Sequence, residues 1–164
     1  ADLTNGSGSS KPKGIMQAAT SFGTSATATT ITYANLVEIE STMPVPYKNV
    51  DTAWIMSPEA VKVIRLLTDD QSRPLWEPSL KAGNPDFLLG YPVWVDGNVD
   101  AATSGKRAVG FFHMPSYAVR IAGGLQIDRS DDFAFNTGLA TFRFQIRGDG
   151  DGIDDNGLGC LTQA

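Results

Sequence analysis

The chain has 164 residues, of which 41% are hydrophobic and 19% charged, with 17 glycines and 9 prolines. This composition predicts one globular core with many turns and excludes the disordered and fibrous classes of protein. The formal net charge is −5, and no more than two lysines or arginines are adjacent, which argues against direct nucleic-acid binding.

A single cysteine, Cys160, and a single histidine, His113, exclude a disulfide framework and the usual zinc clusters. A reducing compartment fits this cysteine content best. No apolar run approaches the roughly 20 residues of a membrane helix, and residues 1–14 lack the regions of a signal peptide. We therefore expect a soluble protein without an export signal. Because the chain starts without Met in a Gly/Ser stretch, we also expect a piece of a longer protein.

The first third of the chain contains one clear helix signal. Residues 5–14 and 20–30 are small and polar, as is typical of loops or strand edges. Thr32 is a suitable N-cap, and Pro44 disfavours helix at the residue before it. The sequence therefore predicts a helix at residues 33–42.

A strand that runs into a helix follows. Residues 52–56 (TAWIM) form a short apolar run, and residues 57–59 supply an N-cap serine, a first-turn proline and a first-turn acid. Apolar residues then recur at 60, 63, 64 and 67, which is helical spacing.

The remaining pattern is dominated by strands. Residues 88–96 have Gly90 at a bend and Pro92 inside the run, and such a proline indicates a sheet edge or a strand start. Gly123–Gly124 is predicted as a turn between two strands. The further predicted strands are residues 107–114, 117–122, 125–130 and the alternating run 139–147. Helices early and strands late predict the α+β class.

The stretch RGDGDGIDDNG at residues 147–157 resembles a calcium loop in composition only. An EF-hand needs an oxygen ligand at position 5, glycine at 6 and glutamate at 12, but counting from Asp149 gives Ile153, Asp154 and Cys160. We interpret the stretch as a solvated, turn-rich chain end. A calcium-dependent binding module stays open as an alternative, whereas adhesion through the Arg-Gly-Asp tripeptide is disfavoured.

No catalytic, cofactor-binding or metal-binding residue is predicted. His113 follows two phenylalanines, which is more typical of a packed histidine than of a catalytic base, and Cys160 has no motif around it. The pairs Asp69–Asp70 and Asp131–Asp132 are typical of turn starts rather than of carboxylates that share a proton. An enzyme would require His113 to lie in a cleft beside a carboxylate.

Five segments, taken in order, resemble the C-terminal part of the major capsid protein of tailed bacteriophages, the Hong Kong 97-type capsid family. Together they extend across roughly residues 5–150, and their order and spacing carry the match. They are NGSGSSKPKGIM (5–16), AWIMSPEAVKVIRLLTDDQSRPLW (53–76), LLGYPVWV (88–95), GFFHMPSYAVR (110–120) and FRFQIRGDG (142–150).

The resemblance implies a Hong Kong 97-type α+β fold and a division of the chain. Residues 1–19 would be a peripheral-domain segment and linker, residues 20–127 the axial domain, and residues 128–164 a peripheral-domain strand and an acidic C-terminal tail. It implies a structural, non-enzymatic shell protein without a cofactor, which self-assembles into pentamers and hexamers of an icosahedral head. Scaffold, portal or decoration proteins are further candidate partners, and the expected location is the virion capsid, assembled in the bacterial host cytoplasm.

The resemblance also raises expectations about individual segments. The loops at residues 81–85 and 98–106 would line the centre of the capsomer. Family chains are typically longer and carry an N-terminal arm, an extended loop and a spine helix before the segment that residues 5–16 match. Asn136 could approximate the asparagine of the family's cross-link, but Arg143 stands where the glutamate would be, so we predict no cross-linking. An encapsulin-type nanocompartment shell, which shares the fold, is the nearest alternative.

Overall fold

The computed structural model describes residues 2–76, 86–130, 133 and 135–164. Short 3₁₀ turns occupy Val45–Tyr47, Met114–Ser116, Phe135–Thr137 and Asp155–Gly157. The helices are α1 (Asp2–Asn5), α2 (Ile15–Ala18), α3 (Tyr33–Thr42) and α4 (Pro58–Arg65). The strands are β1 (Thr20–Thr24), β2 (Thr52–Met56), β3 (Asp86–Leu88), β4 (Tyr91–Val95), β5 (Val109–His113), β6 (Tyr117–Ser130), β7 (Thr141–Gly152) and β8 (Leu158–Thr162).

Six of these strands form one mixed sheet, and the other two form a separate ribbon. The sheet order is β1-β8-β5-β2-β4-β3, and the ribbon consists of β6 and β7. Strands β1, β8, β2 and β4 run in one direction, because only β5 and β3 are antiparallel to their neighbours. We call the end of the sheet at Met56, Val95 and Val109 the tip end. The opposite end, at Thr52 and His113, is the ribbon end, because β6 leaves it and β7 returns to it.

Helix α3 begins and ends where the sequence predicts. The Thr32 hydroxyl accepts a hydrogen bond from the Asn35 N–H, and the Asn35 side chain accepts one from the Thr32 N–H. Each side chain therefore satisfies the backbone N–H of the other residue. Ile31 and Leu36 flank this cap and are both buried. The helix ends before Pro44, whose ring disfavours helical backbone at the preceding residue.

The predicted strand-to-helix unit is also confirmed. Strand β2 runs directly into Ser57, whose hydroxyl accepts a hydrogen bond from the Ala60 N–H at 3.2 Å, and Pro58 opens α4. Trp54 of β2 is fully buried, and its indole N–H donates to the Leu88 carbonyl at 3.0 Å. This bond ties the unit to the hairpin of β3 and β4.

The two faces of the sheet are covered differently. Helices α3 and α4 cover one face with a large buried cluster that includes Trp54 and Phe111. On the other face, α2 and Val99 cover the buried side chains Phe112, Leu158 and Cys160. Among the described residues, no element covers the β4 and β3 side of this second face, where Trp94 and Phe87 are exposed.

The hairpin of β3 and β4 explains how Pro92 enters a sheet. Leu88 pairs with Tyr91, so Leu89 and Gly90 form a two-residue turn with φ values of +50° and +86°. Strand β4 is not an edge strand, contrary to one of the two predicted alternatives. Pro92 lies near its start, and pairing with β2 begins one residue later, so the missing N–H breaks no bond on that side.

Two sequence predictions for the C-terminal half are wrong. Gly123 and Gly124 have positive φ but do not separate two strands; they lie in a bulge within β6, where residues 123–125 oppose Ile146 of β7. The predicted solvated chain end is a connection instead, because the chain continues into β8. That strand lies inside the sheet between β1 and β5.

The domain boundary predicted between residues 127 and 128 falls inside β6. The axial and peripheral assignment remains a prediction.

Gly90 should be required for its backbone conformation and not for space. A Cβ at Gly90 or at Gly97 would meet no atom within 4 Å, but only Gly90 has the left-handed φ of +86°. We expect Gly90→Val to lower the melting temperature through about 1–2 kcal/mol of backbone strain. Gly97→Val is the matched control and should leave it nearly unchanged. Equal melting of both variants in circular dichroism would contradict this account.

Candidate assembly surfaces

The ribbon has one polar and one apolar face. Directly paired residues of an antiparallel ladder project to the same side. The pairs Asp128–Arg143 and Arg120–Asp149 lie on the polar face, and the first is an ion pair at 2.6 Å. The apolar face carries large side chains that are all more than half exposed, so no described element covers it. They are Val119, Ile121, Ile127, Phe142, Phe144 and Ile146.

The N-terminal segment is fastened to the base of the ribbon. The Lys13 N–H donates to the Gly150 carbonyl at 2.9 Å, and the Tyr117 hydroxyl donates to the Lys13 carbonyl at 2.7 Å. The Lys13 ammonium also lies 3.3 Å from the Asp151 carboxylate. Burial, followed by the charges of Asp151 and Asp149, raises the pKa of Tyr117. The ribbon base is therefore a built junction, unlike the uncovered strands beyond it.

A second junction joins the ribbon to the sheet at Ser116, the residue before β6. The Ser116 carbonyl accepts a hydrogen bond from the Ile153 N–H at 2.8 Å, immediately after β7 ends. The Ser116 hydroxyl lies 2.9 Å from Nδ1 of His113. Across the same turn, the Tyr47 hydroxyl donates to the Asp154 carboxylate. These bonds connect the outgoing strand, the returning strand and the loop before β2.

His113 has structural partners in this junction. Its Nε2 lies 3.2 Å from the Asn49 amide nitrogen, its Nδ1 is bonded to Ser116, and the Tyr47 ring lies edge-on with centroids 5.5 Å apart. Neither hydrogen-bond partner is a carboxylate, and Ser116 is buried. The arrangement orients the histidine between two strand ends, and among the described residues no carboxylate is hydrogen-bonded to its ring.

The hydrogen bond between Tyr47 and Asp154 shifts the pKa values of both side chains. The hydrogen bond from Tyr47, followed by one from the Asn156 N–H, holds the pKa of Asp154 below the ordinary carboxyl value of 3.8. The same bond to Asp154 raises the pKa of Tyr47. A carboxyl whose pKa is depressed by folding stabilises the fold above its unfolded pKa. That contribution disappears as the pH falls through the folded value.

Tyr47→Phe should therefore destabilise the chain in a pH-dependent way. We expect its melting temperature to be a few degrees lower than that of the wild type at pH 7, because Asp154 is ionised and loses its donor. The difference should shrink as the pH falls below the ordinary carboxyl value of 3.8 and through the lowered pKa of Asp154, where its carboxylate takes up a proton. Tyr33→Phe, at an exposed tyrosine, is the control. A loss of the same size at pH 3 and pH 7 would contradict the assignment.

Carboxylates of the acidic stretch are hydrogen-bonded or ion-paired to groups of the protein itself. The Asp149 carboxylate accepts a hydrogen bond from the Gly150 N–H, and Asp151 accepts one from the Gly152 N–H while pairing with Lys13. Arg147 to Gly152 belong to β7. Among the described residues, no group of three or more histidine, cysteine, aspartate or glutamate side chains could hold a metal ion.

The remaining candidate residues lie apart from one another. Cys160 is fully buried in β8, and burial raises the pKa of its thiol. Asp69 begins a turn, accepting hydrogen bonds from the Gln71 and Arg73 N–H groups. Asp131 and Asp132 lie outside the described residues.

Asn136 and Arg143 stand at the positions that the resemblance relates to the family's cross-link. Asn136 lies exposed in a 3₁₀ turn, and Arg143 is engaged with Asp128.

One of the two expected tip loops can be placed. Residues 98–106 connect β4 to β5 at the tip end of the sheet, at the opposite end from the ribbon. Lys106 and Asp100 form an ion pair at 3.2 Å, and the Gly105 N–H donates to the Gln163 carbonyl at 2.8 Å. The other loop, at residues 81–85, lies outside the described residues.

Sequence reasoning missed the junction at Ser116. Tyr47 and Asp154 are 107 positions apart, and no local motif marks either residue as a partner of the other. The apolar face of β7, in contrast, is visible in the sequence as a period-two pattern. What the pattern leaves open is whether a neighbouring element covers that face.

The comparisons with known proteins agree with the fold. The profile of the phage capsid family matches residues 1–162. The capsid of an empty GTA particle, computed with C5 symmetry, superposes with a TM-score of 0.81 at 22% identity, covering 99% of this chain and 60% of that one. The capsid of the native GTA particle gives a TM-score of 0.83 at 22% identity, covering 99% and 59%. No protein with a curated description matches.

A structure described as Gordonia phage Cozz matches with a TM-score of 0.59 at 19% identity, covering 100% of this chain and 54% of that one. The protein has the phage capsid fold of the Hong Kong 97 type, as the order of its sequence segments predicts. The chain belongs to the phage capsid family. It spans about 60% of the length of the GTA capsid chains that it matches. None of the helices among the described residues is long and apolar enough to span a membrane.

Proposed function

We propose that this protein is a structural major capsid protein of a tailed phage or prophage, whose copies assemble into pentamers and hexamers of an icosahedral head shell. Family membership over residues 1–162 supports this function. Self-association is its only proposed biochemical activity. Assembly takes place in the bacterial host cytoplasm, and scaffold, portal or decoration proteins are additional proposed partners.

The exposed apolar face of the ribbon is the observation that carries the proposal. The apolar side chains extend along β7 from Phe142 to Gly150, which pairs with Val119, so the face is about 30 Å long at roughly 3.4 Å per residue. Monomeric proteins rarely expose a continuous apolar surface of this length, because it associates in water. A shell subunit needs such surfaces, since many weak contacts repeated by symmetry give a stable assembly.

The two ends of the molecule suit two roles in a shell. The six-stranded sheet with α3 and α4 is the proposed axial domain, and its tip end faces the centre of the capsomer. The ribbon is part of the proposed peripheral domain and extends from the opposite end. This proposed division differs from the boundary that the sequence predicts between residues 127 and 128, because it assigns β8 to the axial sheet and all of β6 to the ribbon.

A catalytic function has less support. The hydrogen bonds of His113 go to Asn49 and Ser116, and Cys160 is buried. A calcium-dependent module also has less support, because Asp149, Asp151 and Asp154 bond to protein donors. An encapsulin-type shell shares the fold and differs in what the particle encloses. Nucleic acid rather than a protein cargo inside the particle would favour the capsid.

The direct test is assembly of the protein expressed from its complete reading frame. Negative-stain electron microscopy should show shells, rings or capsomers, and light scattering of the 164-residue chain provides the comparison. A longer protein that remains small and monodisperse would overturn the proposal.

The apolar face of the ribbon should be essential for assembly. Ile127 and Phe144 are directly paired on this face, and Gln126 and Gln145 are paired on the polar face. We expect Phe144→Asp in the full-length protein to abolish particles, because a carboxylate would have to be desolvated in the contact. Gln145→Asp, one position along the same strand, should retain them. Particles of normal yield from Phe144→Asp in electron microscopy would contradict this role.

The tip loop should contribute to the capsomer centre. Lys106→Glu breaks the ion pair with Asp100 and brings like charges from neighbouring copies together around the axis. We expect a lower particle yield, measured by sedimentation. Lys11→Glu is the control, because Lys11 pairs with Asp2 at 3.5 Å on the N-terminal segment. Unchanged assembly of Lys106→Glu would count against a tip loop at the axis.

A further inference from the structure

The open half of the second sheet face carries an apolar stripe. Trp94 of β4 pairs with Ile55 of β2, and Pro92 of β4 pairs with Phe87 of β3. Paired and alternate residues share a face, so these four side chains lie side by side. Trp94 is 58% exposed and Phe87 is 54% exposed. We call these four residues the Trp94 stripe.

Trp94 differs from the other two tryptophans. The indole N–H of Trp54 donates to the Leu88 carbonyl, and that of Trp76 donates to the Phe87 carbonyl. Both rings are buried. Trp94 donates to no protein acceptor within the described residues and turns its ring to solvent. Large aromatic side chains exposed in this way are typical of the centres of protein interfaces.

Helix α3 carries a second apolar side that faces away from the core. Leu36 and Ile39 are buried against the sheet, whereas Tyr33 and Val37 are exposed. Residues four apart lie on the same side of a helix, so Tyr33 and Val37 form one outward ridge. A helix that needed only to cover the sheet would place polar residues at these positions.

The stripe and the ridge occupy matching places on opposite sides of the molecule. The stripe lies on the β3 and β4 side of one sheet face, and α3 packs on the other face near β1 and β8. Trp94 lies next to the tip end of β4, and β1 ends at the tip end before the chain enters α3 at Tyr33. The other end of α3 is near the ribbon end, where Glu40 pairs with Lys48. A cyclic ring joins two different surfaces of each copy at equal distances from the axis.

We propose that the Trp94 stripe of one copy packs against the Tyr33–Val37 ridge of the next copy around a capsomer ring. The occupant is a second copy of this chain, because both halves of the contact are present in it and are apolar, laterally opposite and level. This inference rests on the proposed shell function and identifies the lateral surfaces that would meet within a ring.

Trp94 provides its own reporter for the contact. We would record fluorescence of the full-length protein before and after assembly, and subtract the spectra of Trp94→Phe to isolate the Trp94 signal. Burial in the contact should shift this signal to shorter wavelength. Acrylamide quenching should fall roughly threefold, because a ring that is about half exposed in the single chain would become buried at the centre of an interface.

Cross-linking tests the identity of the two surfaces. We would combine Val37→Cys with Trp94→Cys in the full-length protein, where the natural Cys160 is buried. Oxidation should produce a ladder of linked chains that ends at the ring size, because each copy offers both cysteines. Each single variant lacks one partner of the pair and can yield at most dimers. Leu66→Cys with Trp94→Cys, at an exposed leucine away from the ridge, is the matched control.

The outcomes separate this inference from the proposed function. Particles with a buried Trp94 and a ladder specific to the Val37 pair support the contact. Particles in which Trp94 remains exposed, or in which the Val37 pair gives no ladder, overturn it and leave the shell function standing. Failure of the full-length protein to form any assembly overturns both.

Discussion

The position of β8 between β1 and β5 determines how the rest of the chain is arranged. Its residues Leu158 and Leu161 are fully buried on opposite sides of the sheet, so both core clusters need this strand. Because β5 and β8 are antiparallel neighbours, the chain between them leaves and re-enters the sheet at the same end. The ribbon is that excursion. It occupies most of the 45 positions between the end of β5 at His113 and the start of β8 at Leu158.

 The two ends of the ribbon are joined at its base, where the Ile153 N–H donates a hydrogen bond to the Ser116 carbonyl.

That fastening separates two environments within one chain. The apolar side chains of the sheet are covered by α2, α3 and α4. On the ribbon, by contrast, apolar side chains are exposed to water. Hydrophobic burial is not directional, so an uncovered apolar face does not by itself hold a particular orientation. The hydrogen bonds among Ser116, Ile153, Tyr47 and Asp154 supply that direction. In the proposed shell this combination matters, because the angle between the sheet and the ribbon determines how neighbouring copies meet.

Each exposed apolar surface lies on a helix or strand whose opposite side is either polar or packed in the core. The ribbon has a polar face, α3 has a buried side, and β4 contributes Val93 to the core beside the exposed Trp94. Rigid elements hold such surfaces in a defined geometry before any partner arrives. Association then requires little ordering of the backbone, which lowers its entropic cost.

The sequence by itself determined the elements whose signals are local. Thr32 with Pro44 bounded α3, Ser57 with Pro58 opened α4, and alternation marked β7, because caps, prolines and periodicity act within a few residues. The tertiary structure alone decided that Gly123–Gly124 form a bulge, that β8 enters the sheet and that Tyr47 meets Asp154. These features depend on pairing between distant segments. Short-range patterns carry no information about which distant strand or side chain supplies the partner.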